Sequence, residues 1–129
     1  MKGLIIRRPC DIVPGLTKYI GSKKTENFTI ILLNSNNEVI NYKTLFIGGI
    51  QSSIVDSRVV FNYALKHLAV AMIISHNHPG GNPEPSSMDK TTTDRLKQGC
   101  DILGITLLDH IIVTKKGGYF SFREHDLID

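Results

Sequence analysis

"AVAMIISHNHPGGNPEPSSMD", residues 69–89, runs from an unbroken apolar stretch through two histidines and a proline- and glycine-rich loop to a helix start. The run "AVAMIIS" (69–75) shows no polar alternation, which suits a strand covered on both faces at the centre of an α/β sheet. Residues 79–85, "PGGNPEP", can neither continue a strand nor begin a regular helix, so the chain turns in a shaped loop before Ser86. Beyond it, Met88, Leu96, Cys100 and Leu103 recur at helical spacing and predict a helix from about Ser87 to Leu103. Gly104 suits the position that ends it.

Outward from this junction, "FTIILLN" (28–34) and "VINYKTLFIGG" (39–49) predict a hairpin turning at Asn36-Asn37. "DSRVVFNYALKHLA" (56–69) places Val60, Tyr63, Ala64 and Leu68 on one helical face, with Asp56 or Ser57 as N-cap. "ITLLDHIIVT" (105–114), the turn "KKGG" and "YFSF" (119–122) predict a final pair of strands, followed by a short tail. The order β-β-α-β-α-β-β predicts an α/β fold with one mixed β-sheet and flanking helices. Residues 1–25 read as an irregular basic segment with a helical turn near 15–21, leading into a domain over 26–129.

The 129 residues, 41% of them hydrophobic, fit one domain with a real core. Cys10 and Cys100 form no short-spaced pair, and no signal peptide or bilayer-length apolar run is present; the expectation is a cytoplasmic protein with two buried, structural thiols and no membrane partner. Six basic side chains precede residue 25 against Asp11 alone, whereas the remainder holds 9 basic and 11 acidic residues. The body of the domain therefore does not look like a general nucleic-acid surface, and the basic lead-in reads as a solvated tail that leaves phosphate contact open.

His76 and His78 are one residue apart, so a persisting strand sends both imidazoles to the same face. With Asp89 they supply two nitrogens and a carboxylate, a three-ligand zinc site whose fourth tetrahedral position is open to water. Bound zinc lowers the pKa of water to about 7, and a base must take the proton. Glu38 falls in the hairpin turn, facing solvent. Glu26 precedes the first strand and comes near the histidines if that strand lies beside "AVAMIIS". Ser86 can donate to an oxyanion or cap the helix. A structural reading also stands: Ser86-x-x-Asp89 resembles a capping box, and a His-x-His at a strand end can be plain surface polarity.

The pattern Glu, then His-x-His-x7-Ser-x2-Asp, resembles the JAMM (JAB/MPN-type) zinc metalloproteases. "SHNHPGGNPEPSSMD", "LLDHIIV" and "YFSF" look more closely like the RadC-like branch of that superfamily, over about Glu26 to Ile128. The resemblance implies a cytidine-deaminase-like fold, zinc held by His76, His78 and Asp89, Glu26 as acid/base and Ser86 as oxyanion donor. It implies a hydrolase of peptide or isopeptide bonds. Two positions depart from the branch: Gly80 stands where serine is usual, and the first helix opens Ser57-Arg58-Val59 where Pro-Arg-Glu is usual. If that missing acid is the catalytic one, Glu26 is the wrong choice. The lost acid keeps a non-catalytic interaction domain open as an alternative. Longer relatives carry an N-terminal DNA-binding module for which the residues before Glu26 are too few, and the basic lead-in is the cue for a nucleic-acid-associated protein linked to DNA repair or metabolism. The His-x-Glu and Pro-Cys-x-x-Cys signature of the zinc deaminases is absent.

Asp109-His110 lies in an apolar strand and reads either as a buried hydrogen-bonded pair or as support for a zinc ligand. Asn77 points away from its histidine neighbours and predicts a structural hydrogen bond. His67 carries no chemistry, His125 is expected in solvent, and Gly80 and Gly81 supply backbone freedom.

Overall fold

In a computed structural model, which describes residues 1–48 and 55–128, five strands form one mixed sheet. They are β1 (Asn27–Leu33), β2 (Val39–Ile47), β3 (Ala71–Asn77), β4 (Thr106–Val113) and β5 (Tyr119–Ser121). Their spatial order is β2-β1-β3-β4-β5; β3 runs parallel to β4, and every other neighbouring pair is antiparallel. This is the mixed α/β sheet that the sequence predicts. The expected extension of the second strand to Gly49, and Asp129 of the tail, lie outside the described residues.

β3 occupies the centre, and all seven of its residues are buried, which is why its sequence does not alternate. One face of the sheet carries Phe28, Ile30, Leu32, Met72 and Ile74 against α2 (Ser57–Lys66) and α3 (Ser87–Leu103). The other carries Ile31, Leu33, Ile73 and Val113 against Ile12, Leu16 and Ile20. Strand period therefore sends His76 towards α3 and Asn77 to the opposite face. The hairpin turns where expected: Asn37 takes a left-handed φ of 56°, and Asn34 Oδ1 accepts from the Asn36 and Glu38 N–H groups at 2.9 and 3.1 Å. Asp56 caps α2 by accepting from Arg58 N–H at 2.9 Å. Gly104 ends α3 with φ 75°.

Several expectations need correction. The expected helical turn is there, as α1 (Val13–Leu16) continuing into a π-helical stretch, Thr17–Gly21, but the lead-in around it is more ordered than an irregular segment, with a 3-10 turn at Pro9–Asp11. Ile6, Ile12, Val13, Leu16 and Ile20 cover what would otherwise be a bare apolar sheet face, while the basic residues point outward. Cys10 is exposed and only Cys100 is buried. Leu68 is 83% exposed because α2 stops at Lys66 and Leu68 lies beyond it at φ 51°. Met88 and Leu103 are also exposed. The inward stripe of α3 is Asp89, Thr92, Thr93, Leu96 and Cys100, and Met88 is about 100° of helix rotation away from Asp89. His125 is exposed but not loose, since its ring stacks on Phe120 at a centroid distance of 3.9 Å and its Nδ1 lies 2.9 Å from the Ser121 carbonyl.

Truncating a fully buried side chain in the helical lead-in tests whether that segment belongs to the core. Leu16→Ala is expected to lower unfolding free energy by about 2–5 kcal/mol in urea titration. A change under about 0.5 kcal/mol would mark the segment as a tail.

Candidate metal centre

The site forms where β1, β3 and α3 meet. β1 pairs with β3 in the register Thr29↔Ser75, which sets the residue before β1, Glu26, beside the end of β3. The strand-order condition on Glu26 is thus met. The loop after His78 then returns the chain to Ser86, where a complete capping box opens α3: Ser86 Oγ accepts from Asp89 N–H at 3.1 Å, and Ser86 N–H donates to Asp89 Oδ2 at 2.8 Å. The capping and metal readings of Ser86-x-x-Asp89 are compatible, because the box holds the carboxylate while leaving Oδ1 for another partner.

Glu26, His76, His78 and Asp89 each offer one donor atom, and the four atoms lie within 4.8 Å of one another. His76 Nε2 is 3.0 Å from His78 Nε2 and 3.2 Å from Asp89 Oδ1, while His78 Nε2 is 3.3 Å from Asp89 Oδ2. A tetrahedral ion with bonds of about 2.0–2.1 Å separates its ligands by about 3.3 Å, and each imidazole Nε2 stands at about that distance from one oxygen of the Asp89 carboxylate, His76 from Oδ1 and His78 from Oδ2. Glu26 Oε1 stands further off, 3.7 Å from His76 Nε2 and 3.9 Å from His78 Nε2.

Counting protons shows why a cation fits here. Thr93 Oγ1 donates to the Asp89 carbonyl at 2.8 Å, so at 2.6 Å from His110 Nδ1 it must accept that ring's proton. Burial holds the His110 pKa well below its ordinary value, and the ring is neutral; its Nε2 is therefore an acceptor. His76 Nδ1, 2.9 Å away, must donate to it, and a neutral His76 ring then keeps a lone pair at Nε2. His78 Nδ1 faces the Asn82 carbonyl at 2.8 Å and can only donate, so the neutral ring again leaves its Nε2 with a lone pair. Two nitrogen lone pairs and a carboxylate converge within hydrogen-bond distance and repel one another unless a positive charge sits among them.

A proton can also supply that positive charge. Burial pushes the Asp89 carboxyl up, but the His76 and His78 imidazoles and the Ser86 N–H outweigh it and hold the pKa well below the carboxylate range. The Asp89 carboxylate raises the His78 pKa against the opposing effect of burial. In the metal-free protein the site therefore competes for a proton with the same atoms that bind metal.

Two supports were only half legible. His110 proves to be both a buried strand residue and the partner of His76, and Thr93, which completes the link to α3, gave no sequence signal beyond its place two turns into the helix. Asp109 faces away, accepting from the Ser121 hydroxyl and the Arg123 and His110 N–H groups. Asn77 does make the expected structural bonds, and they matter to the site. Its Oδ1 accepts from Asn27 N–H at 2.7 Å, and its Nδ2 donates to the Lys23 and Thr25 carbonyls at 3.1 and 3.0 Å. The segment carrying Glu26 is thereby clamped to the strand carrying the histidines. His67 stays outside the cluster, 3.1 Å from Asn41 Nδ2. Gly81 takes φ 90°, as its loop requires.

His110→Leu is expected to weaken metal binding about 10–100-fold in chelator competition, with His110→Gln recovering part of the loss by accepting from His76. An unchanged affinity in His110→Leu would detach His110 from the centre. Metal affinity is also expected to fall about tenfold per pH unit below the raised His78 pKa, because the proton takes the lone pair the ion needs. A flat affinity profile through that range would contradict the assignment of His78.

The sequence model described as the RadC-like JAB domain matches residues 6–127. Among curated relatives, the UPF0758 proteins of Streptococcus pyogenes serotype M49 (strain NZ131), serotype M1 and serotype M18 (strain MGAS8232) are each 46% identical over 105 residues. That covers 81% of this chain and 46% of each relative, so the chain spans just under half their length. No helix among the described residues is long and apolar enough to cross a membrane. The match reaches into the helical lead-in that packs on the sheet, and it takes in every residue of the four-donor cluster: the chain belongs to the RadC-like JAB domain family.

Proposed function

We propose that the chain is a zinc-dependent hydrolase of amide bonds, peptide or isopeptide, with His76, His78 and Asp89 holding the metal. The observation that carries this reading is the convergence of two lone pairs and a carboxylate at 3.0–3.3 Å with a second carboxylate, Glu26, 3.7–3.9 Å from the imidazoles. A structural zinc site closes all four positions with protein ligands, whereas three near donors and one more distant acid suit a catalytic one. A bound zinc ion supplies Lewis acidity, lowering the pKa of water to about 7 and drawing charge from a carbonyl.

The chain's own groups do the rest. Glu26 takes a proton from the attacking water at Oε1 as the water oxygen bonds to the amide carbon, then delivers it to the leaving nitrogen as the C–N bond breaks. Its partly exposed side chain lies at the mouth of the site, while His76 and Asp89 are buried behind it. Ser86 is exposed, and since its oxygen accepts from Asp89 N–H, its hydroxyl hydrogen remains for a developing oxyanion.

Glu26→Gln is expected to retain stoichiometric zinc and to lose at least about a hundredfold in turnover on a panel of peptide and isopeptide substrates. Full activity in that variant would remove Glu26 from the mechanism. Zinc binding with no hydrolysis by the unaltered protein across the panel would favour the interaction domain that the missing acid at Val59 suggests. Asn77→Ala, which frees the Glu26 segment, is expected to lower turnover while leaving metal content intact; loss of both together would make Asn77 a general stabiliser.

A further inference from the structure

On the sheet face away from the metal centre, a cavity of about 590 Å³ opens between the helical lead-in and β2. Lys18 and Tyr19 border it from the π-helical stretch Thr17–Gly21, Lys23 and Asn27 from the entry to β1, and Tyr42 and Thr44 from β2. Its volume falls within the range of about 300–1,000 Å³ usual for small-molecule sites. The walls are held in place from several sides. Ile20 is buried in the core of this face, and its carbonyl accepts from Lys23 N–H at 3.1 Å. The Lys23 carbonyl and the Asn27 N–H are both bound by the Asn77 side chain. Gly21 packs on the Thr114 carbonyl so closely that a Cβ there would come within 3.2 Å of it. π-Helical turns are rare and recur at functional sites.

Lys18 and Lys23 border this cavity, and among the described residues no acid does. Neither lysine forms an ion pair with another described residue. Clefts lined by one sign of charge concentrate ligands of the opposite sign. Thr44 adds a hydrogen-bond donor. Its hydroxyl lies 2.8 Å from that of Thr29, which is fully buried. Thr29 must be the donor of that pair, because the reverse would leave its own hydrogen buried without an acceptor; the Thr44 hydrogen remains for a ligand oxygen. Asn27 Nδ2 donates to the Thr25 carbonyl at 2.9 Å, which leaves Oδ1 to accept from a hydroxyl or amino group. Tyr19 and Tyr42 meet edge to face, with centroids 5.0 Å apart and planes at 87°, and give the cavity an aromatic wall.

We propose that this cavity is a binding site for a free nucleoside phosphate, its phosphate on the Lys18 and Lys23 ammonium groups and the Thr44 hydroxyl, its base against the tyrosine pair. A bare anion would leave the aromatic wall and most of the volume unused. A nucleotide supplies both the charge for the lysines and the planar ring for the tyrosines. A long nucleic-acid strand is disfavoured, since the residues after 24 hold 9 basic and 11 acidic side chains and the domain body has no excess of positive charge for it. None of the four donors of the metal centre borders this cavity. The proposal therefore stands apart from the amide-hydrolase reading and does not depend on it.

Isothermal titration calorimetry on the full chain tests it, with the common ribonucleoside 5′-monophosphates, their nucleosides, inorganic phosphate and a dodecamer of deoxyadenylate as probes. At least one monophosphate is expected to bind once per chain, about tenfold or more tighter than its nucleoside or phosphate alone. Lys18→Ala/Lys23→Ala, which alters exposed side chains, and Tyr19→Leu are each expected to weaken that binding about tenfold or more. The His76→Ala/His78→Ala pair is expected to leave it unchanged. The absence of saturable binding of every monophosphate up to about 5 mM would overturn the proposal, as would phosphate binding as tightly as the monophosphates. Unchanged affinity in the lysine or the Tyr19→Leu variant would also overturn it. So would loss of binding in the histidine pair, which would place the phosphate at the metal centre, or tighter binding of the oligonucleotide than of any monophosphate, which would make the cavity part of a strand-binding surface.

Discussion

The chain of hydrogen bonds from His76 through His110 and Thr93 to the Asp89 carbonyl is the constraint on which the site depends. It runs from the central strand through its parallel neighbour to the helix that covers both, and it fixes the proton on His76 Nδ1. His78 is fixed in the same tautomer by a single carbonyl of its own loop. In their neutral form the rings are therefore held with Nε2 lone pairs inward, in a buried setting where an unpaired polar atom is costly. Preorganisation of this kind is what lets a small domain keep mutually repelling groups together, with a cation as the balancing charge.

The fold serves that arrangement. Antiparallel pairing of β1 with β3 brings the residue before one strand beside the end of the other, and parallel pairing of β3 with β4 sets Ile74 level with His110, two residues before His76. The period of the strand divides the work of neighbouring residues: His76 and His78 face the donor cluster, and Asn77 on the opposite side clamps the segment of Glu26. α3 contributes an inward stripe that is polar at its start and apolar at its end, so one helix both completes the site and packs the core.

Most of the architecture was legible because it is local. An unalternating run must be covered on both faces, Asn-Asn closes a hairpin, and Gly104 stops a helix. The fixed distances between His76, His78, Ser86 and Asp89 made the junction readable as one unit. What failed to show depends on contacts distant in sequence. The lead-in looked like a basic tail because its charges outnumber its core residues, and only the sheet face it covers reveals Ile12, Leu16 and Ile20 as core. Met88 looked like a core position and Thr93 went unread, because the buried stripe of α3 was sought among apolar residues alone; at its start that stripe is Asp89, Thr92 and Thr93. The position of Glu26 waited on strand order, which no periodicity contains.

The convergence of two imidazole nitrogens and two carboxylates is suited to a metal ion, and metal content tests that fit most directly. Elemental analysis of the purified protein, beside a His76→Ala/His78→Ala pair prepared identically, is predicted to find close to one transition-metal ion, zinc foremost, per unaltered chain and almost none in the variant. Equal and negligible metal in both proteins, after both have been offered zinc, would contradict the account.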